Sequence, residues 1–238
     1  MFYSPILHPA NVEGNIDLHK SNPLWINLAC IMSILDDRGV VESFVTKQSL
    51  RNNEPYPLLT HSFMDWFESF DFTNWKLVEM GSGNSTHYFS QKFKDVISFE
   101  TNEIFYNFML KDKLSQNVDL RYMSSYNLNK ENFENITFNT KTMVLIDCAN
   151  SRVPIVKNLI ARNIPSLLVL DNSDILPNLV QYILNHGYKE IPFWGLKLTE
   201  HFESCTSIFI KDVSCLPSSR LQYHSTGSRK YQSEFDLK

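Results

Sequence analysis

Several things are missing from this chain of 238 residues, and each absence narrows its function. It has no apolar run of membrane-span length, and Met1 to Asn15 shows neither a basic start nor the long apolar stretch of a signal peptide. Secretion and membrane insertion are disfavoured, and the expected setting is cytoplasmic. Cysteine is sparse: Cys30, Cys148, Cys205 and Cys215 lie far apart without C-x-x-C spacing, which argues against a zinc site and suits a reduced compartment. Cys148 follows an acid, but no base stands near it in the sequence, so its reading is structural. A basic excess is also missing. With 22 Lys and Arg against 26 Asp and Glu, the net charge is −4, so a nucleic-acid partner is disfavoured. No internal repeat or low-complexity tract stands out.

What is present suits one α/β domain with an appendage. Hydrophobic residues make up 43% of the chain, and its 17 Phe and 10 Tyr read mainly as core packing. The organising stretch is KLVEMGSGNSTHYFSQKFKDVISFE, from Lys76 to Glu100. A short strand climbs to Glu79, breaks at Gly81-Ser82-Gly83, restarts as a helix capped by Ser85 and Thr86, and returns as a strand closed by Glu100. Two glycines two apart free the backbone and leave no Cβ in the way of a bound group. The new helix points its free N–H groups into the turn. Glu100 stands nineteen positions past Gly81, near the spacing of about 20 at which a carboxylate accepts hydrogen bonds from ribose hydroxyls. The third glycine of a dinucleotide fingerprint is absent, and Glu79 before the turn would repel a pyrophosphate and favour a positively charged ligand.

The remaining chain divides into an N-terminal arm and helical cap (1–54), a main domain (55–216) and a polar tail (217–238). Apolar residues at helical spacing predict a helix over Leu24 to Leu35; Val40 to Arg51 is ambiguous between helix and strand, and Asn52 to Pro57 reads as a turn. An aromatic helix is expected over Leu58 to Phe70, with His61 as polar packing at its start. A helix over Asn102 to Lys113 presents Ile104, Phe105, Phe108 and Met109 as an apolar face, and a strand follows from Val118 to Met123. Strands at Thr142 to Ile146 and Leu167 to Leu170 alternate with helices at Arg152 to Asn163 and Pro177 to Gly187, and closing strands follow at Tyr188 to Leu196 and Thr206 to Lys211. This alternation predicts a doubly wound, mostly parallel α/β sheet of seven strands. Helices should cover both faces, with one antiparallel closing strand and an N-terminal helical extension. Glu79, Glu100, Asp147 and the pair Asp171-Asn172 then fall together at the carboxyl ends of the strands, where such sheets bind ligands.

The E-x-G-x-G turn with a later acidic strand end resembles motifs I and II of the class I S-adenosylmethionine-dependent methyltransferases. The resemblance spans about Pro55 to Lys211. It implies S-adenosylmethionine as cofactor, held by Glu79, Gly81, Ser82, Gly83, Asn84, Ser85, Thr86, Glu100 and Thr101. Glu79 would hold the methionine moiety, Ser124 and Ser125 would lie beside the adenine, and Asp147 would stand at the fourth strand. The stretches MVLIDCANSR and LLVLDNSD also resemble the metal-dependent O-methyltransferases, which implies Asp147, Asp171 and Asn172 as ligands of a Mg²⁺ ion. Those enzymes place a lysine base three residues after the first Asp, where this chain has Asn150, so metal-free transfer is the default expectation. Asp147 and Arg152 are the candidate catalytic residues, and Phe193-Trp194-Gly195 could line an acceptor pocket or pack in the core. The expected reaction is methyl transfer to a hydroxyl oxygen of a small molecule or glycan. A nicotinamide-dependent oxidoreductase and a non-catalytic cofactor-binding or scaffold protein of the same fold are the alternatives.

Overall fold

The structure is a computed structural model that describes residues 23–123, 136–149, 151–162 and 166–219. The chain enters through helices α1 (Pro23–Asp37) and α2 (Val40–Thr46) and a two-residue hairpin, β1 (Leu50–Arg51) with β2 (Glu54–Pro55). The ambiguous 40–51 segment is therefore both helix and strand. Its turn is made by Asn52 and Asn53 at φ 56° and 62°, the left-handed pair that a tight two-residue hairpin requires. Helix α3 (His61–Glu68) starts later than the periodicity suggests. Thr60 is already committed elsewhere: its N–H donates to Thr206 Oγ1 (3.2 Å) and its hydroxyl to the Phe193 carbonyl (3.0 Å).

The sheet begins with β3 (Lys76–Met80), followed by α4 (Asn84–Ser90), β4 (Asp95–Glu100), α5 (Glu103–Lys111) and β5 (Val118–Tyr122). Then come β6 (Thr142–Ile146), α6 (Arg152–Ala161), β7 (Leu167–Asp171), a short 3₁₀ turn (Ser173–Ile175), α7 (Pro177–Asn185), β8 (Lys189–Gly195) and β9 (Ser204–Ile210). The spatial order is β5-β4-β3-β6-β7-β9-β8. Neighbours from β5 to β7 run parallel, whereas β9 is antiparallel to both β7 and β8. The order reverses between β3 and β6, and a crevice opens at the carboxyl ends of strands at such a switch point.

Every residue of β6 and β7 is buried, as their continuous apolar runs predict for central parallel strands. Side chains alternate between two cores. Val78, Met80, Val144 and Ile146 pack with Ile155, Leu159 and Ile183 from α6 and α7. Leu77, Met143 and Leu145 pack on the other face with Phe63 and Phe67 of α3, Phe89 of α4 and Val40 of α2. Aromatic contacts knit this second core, for example Phe67 stacked on Phe72 at 4.6 Å and set edge-on to Phe89 at 5.1 Å.

The face expected of α5 is not buried. Only Met109 reaches the core, while Ile104 and Phe108 stay exposed, because β5 beside it is the sheet's edge strand. The start of the tail is tied down: Asp71 N–H donates to the Ser218 carbonyl (2.9 Å) and Ser219 bridges to Phe70. No described helix is long and apolar enough to cross a membrane.

Candidate active site

The turn after β3 owes its shape to Gly81. Its φ of +102° is one that side-chain-bearing residues rarely adopt, and an added Cβ would lie 2.6 Å from the Asp147 carbonyl oxygen. Gly81 thus lets β3 and β6 close together, and the Asp147 N–H completes the contact on the Met80 carbonyl (3.0 Å). Gly83 is different. Its backbone is extended at φ 165°, and among the described residues an added Cβ would meet nothing within 4 Å.

Beneath the turn lies Glu79, fully buried. Thr86 Oγ1 and Ser98 Oγ each donate to its Oε2 at 2.6 Å, and Ser85 Oγ donates to its Oε1. Burial raises the carboxyl pKa, and these hydroxyls, with Ser85 first, pull against that rise. Thr86 also accepts the Gly83 N–H (3.0 Å), so one hydroxyl joins the acid to the turn. Glu79 therefore braces the turn from below. A direct contact with a ligand's ammonium group, as the sequence suggested, would require it to leave these hydroxyls. Ser85 and Thr86 are likewise buried and turned toward Glu79.

Glu100 sits at the lip of the crevice. Its Oε1 accepts from the N–H groups of Thr101 and Asn102, both at 2.7 Å, and its Oε2 from the Ser82 N–H (3.3 Å) and hydroxyl (3.1 Å). The second acid and the glycine turn are thus brought together as expected. Asn84, opening α4, donates its amide to the Ser49 carbonyl at 2.7 Å, so the N-terminal cap reaches the rim of the turn. Ser124, Ser125 and Asn150 lie outside the described residues.

Across the crevice, Asp147 ends β6 and keeps 22% of its side chain exposed. Desolvation by the surrounding chain holds its carboxyl pKa well above the usual range. The neighbouring Asp171 adds to the rise, while Arg152 and Lys197 oppose it. Arg152 spans the group, donating to the Cys148 carbonyl (2.8 Å), Asn172 Oδ1 (3.1 Å) and Asp147 Oδ1 (3.4 Å). Asp171 is held harder still. Lys197 Nζ lies 2.6 Å from its Oδ2, and Thr206 Oγ1 donates to its Oδ1 at 2.7 Å.

The expectation of a divalent cation on Asp147, Asp171 and Asn172 is corrected by these contacts. Both oxygens of Asp171 are taken, one by an ammonium, and Asn172 and Asp147 face a guanidinium. A metal would have to displace these donors, so the residues present do not fit one. Among the described residues no group of three or more His, Cys, Asp or Glu is arranged to hold a metal.

Lys197, Thr206 and Ser98 went unnoticed in the sequence, since each joins the site through residues far along the chain. Phe193 packs at 5.9 Å from Phe63 and 5.7 Å from Trp66, whereas Trp194 points outward and is 58% exposed. His61 serves in packing: its N–H donates to the Leu196 carbonyl (3.0 Å), and burial lowers its pKa to about 4.

No protein-family model matches the sequence, and no similar curated protein was found. Solved structures do match. A precorrin-6y C5,15-methyltransferase from Geobacter metallireducens is 15% identical and aligns over 66% of this chain and 100% of its own, with a TM-score of 0.50. The fold is that of the class I methyltransferases. Within the class I methyltransferase fold, the Gly81 turn and Asp147 face each other at the β3/β6 switch point.

Other solved structures match at lower similarity. One, from Streptococcus pneumoniae and provisionally assigned as a tRNA (m1A22) methyltransferase, holds S-adenosyl-L-methionine; it is 15% identical over 63% of this chain and 72% of its own, TM-score 0.45. Another is an rRNA methylase from Streptococcus thermophilus, 11% identical over 62% of this chain and 92% of its own, TM-score 0.41. These matches correct the expectation that a nucleic-acid acceptor is disfavoured.

Proposed function

We propose that this protein binds S-adenosylmethionine over the β3–α4 turn and transfers its methyl group to an acceptor lying against Asp147. The observation that carries the reading is the pairing of a glycine turn, open above Gly83 among the described residues, with a carboxylate at the end of the next strand. The cofactor would supply a methyl group activated by a positively charged sulfur. Gly81, Ser82, Gly83 and Asn84 would form its backbone cradle, with Thr101 at the rim, and Glu100 would exchange the Ser82 hydroxyl on its Oε2 for a ribose hydroxyl. Glu79, Ser85 and Thr86 support that cradle from beneath.

Methyl transfer asks the protein mainly for alignment of the two reactants. An acceptor that loses a proton on methylation also needs a place to send it. Asp147, partly exposed and raised in pKa, suits that role, with Arg152 fixing its orientation. The acceptor we favour is a hydroxyl oxygen. Small-molecule, sugar and RNA ribose hydroxyls all meet this requirement.

The test is calorimetric titration of the full chain with S-adenosylhomocysteine, with NADH as a control. Micromolar binding of S-adenosylhomocysteine and none of NADH is expected. NADH binding, or a folded protein that binds neither, overturns the reading.

A further inference from the structure

We propose that Lys197 is the resident cation of the transfer site, holding Asp171 in place so that the reaction proceeds without a divalent metal. This inference rests on the methyl-transfer reading of the same crevice. Its starting point is a mismatch: acids stand at the ends of β6 and β7 as if for a metal, yet the chain itself supplies the positive charge.

The ion pair is sealed, with side-chain exposures of 2% for Lys197 and 1% for Asp171. Such a pair costs much of what it gains through desolvation, so it is weakly explained by stability alone. Its geometry is nonetheless closely fixed. Thr206 holds the second oxygen of Asp171, and Thr206 is itself held by the Thr60 N–H (3.2 Å). On the backbone side, Leu196 is tied to the His61 N–H and Leu198 is fully buried, so the lysine cannot swing outward.

The surroundings are acidic enough to demand a cation. Asp171 lies close enough to raise the Asp147 carboxyl, and Glu200 carries a buried Oε2 with no hydrogen-bond partner among the described residues. Lys197 and Arg152 answer that charge. Lys197 is a positioning residue: it acts on Asp147 through Asp171 and touches neither reactant.

Mn²⁺ binding followed by electron paramagnetic resonance tests the proposal on the full-length protein. Wild type should leave Mn²⁺ free at sub-millimolar concentrations, and Lys197→Arg should do the same. Lys197→Ala and Lys197→Gln leave the acids uncompensated and should each gain one Mn²⁺ site, at least about tenfold tighter than wild type, because hard oxygen donors suit that ion. A second substitution, Asp171→Asn, should abolish the gained site.

Stoichiometric Mn²⁺ binding by wild type, lost in Asp171→Asn, overturns the proposal. So does a folded Lys197→Ala or Lys197→Gln that takes up no Mn²⁺. If neither variant folds, the wild-type titration decides alone. S-adenosylhomocysteine calorimetry on the same samples reports separately on the cofactor reading, so the two failures are distinguishable.

Discussion

Asn84 donates its side-chain amide to the carbonyl of Ser49 across 2.7 Å, joining the first residue of α4 to a segment 35 positions earlier. The contact links the N-terminal cap to the glycine turn. Asn84→Ala should therefore lower stability by roughly 0.5–1.5 kcal/mol in urea unfolding, the usual net worth of one hydrogen bond. Hydrogen exchange should speed up in the 49–56 hairpin while β3 and β6 stay protected. Uniform exchange across both regions would show that the cap is held by other means.

The two glycines of the turn should respond oppositely to alanine. Gly81→Ala must place a Cβ against the Asp147 carbonyl at a φ of +102°, and should cost roughly 1–3 kcal/mol of stability. Gly83→Ala has an ordinary extended backbone and open space, so the fold should stand while S-adenosylhomocysteine binding is lost. Thermal unfolding and calorimetry on both variants separate the two effects. Equal losses of stability would contradict the geometry.

Glu100→Gln keeps the shape of the side chain and removes its charge. Losing charge-assisted hydrogen bonds should weaken S-adenosylhomocysteine by roughly 1.5–3 kcal/mol. Unchanged affinity in the folded variant would remove Glu100 from the ribose site.

His61 gives the fold an acid sensitivity. Its pKa drops from an ordinary 6.5 to about 4, chiefly by burial, with Arg38 adding to the fall and Asp65 opposing it. The unfolded chain binds the proton more readily than the native one. The stability gained from a neutral His61 is thus present above pH 6.5 and is lost as pH falls toward about 4. His61→Gln should flatten that limb in urea midpoints measured between these pH values. A variant that keeps the full slope would assign it to other groups.

Asp147 sets a second pH dependence, this one in catalysis. A raised pKa keeps the carboxyl protonated to higher pH, so the base form appears only above the ordinary carboxylate range. Methyl-transfer rate should rise with pH through that titration, and Asp147→Asn should lose the limb and most of the activity. A pH-independent wild-type rate would exclude Asp147 as proton acceptor.

Much of the architecture is legible in the sequence where burial is two-sided or the backbone is special. The uninterrupted apolar runs of β6 and β7 and the Gly81 turn announce themselves locally. Glu79 is legible as an acid before the turn, but its orientation is not, because Ser98, which helps to capture it, arrives 19 residues later. Lys197 carries no motif at all; only the β8–β9 connection brings it to Asp171, 26 residues away in sequence. The face of α5 misleads for a related reason. Helical periodicity reports an apolar stripe, but whether a sheet extends far enough to cover it is a property of strand order.

The Thr60 N–H and Thr206 Oγ1 stand 146 positions apart in sequence, and His201 of the β8–β9 connection stacks on Phe44 of α2 at 4.7 Å. A chain growing from its N-terminus can form the glycine turn and its acid brace well before β9 exists. The roof over Asp171 closes only when β9 docks. Completion therefore waits on pairings that are distant in sequence, since long loops must close before such contacts form. A nascent or truncated chain would form the glycine turn while the charged half of the crevice still lacked Lys197.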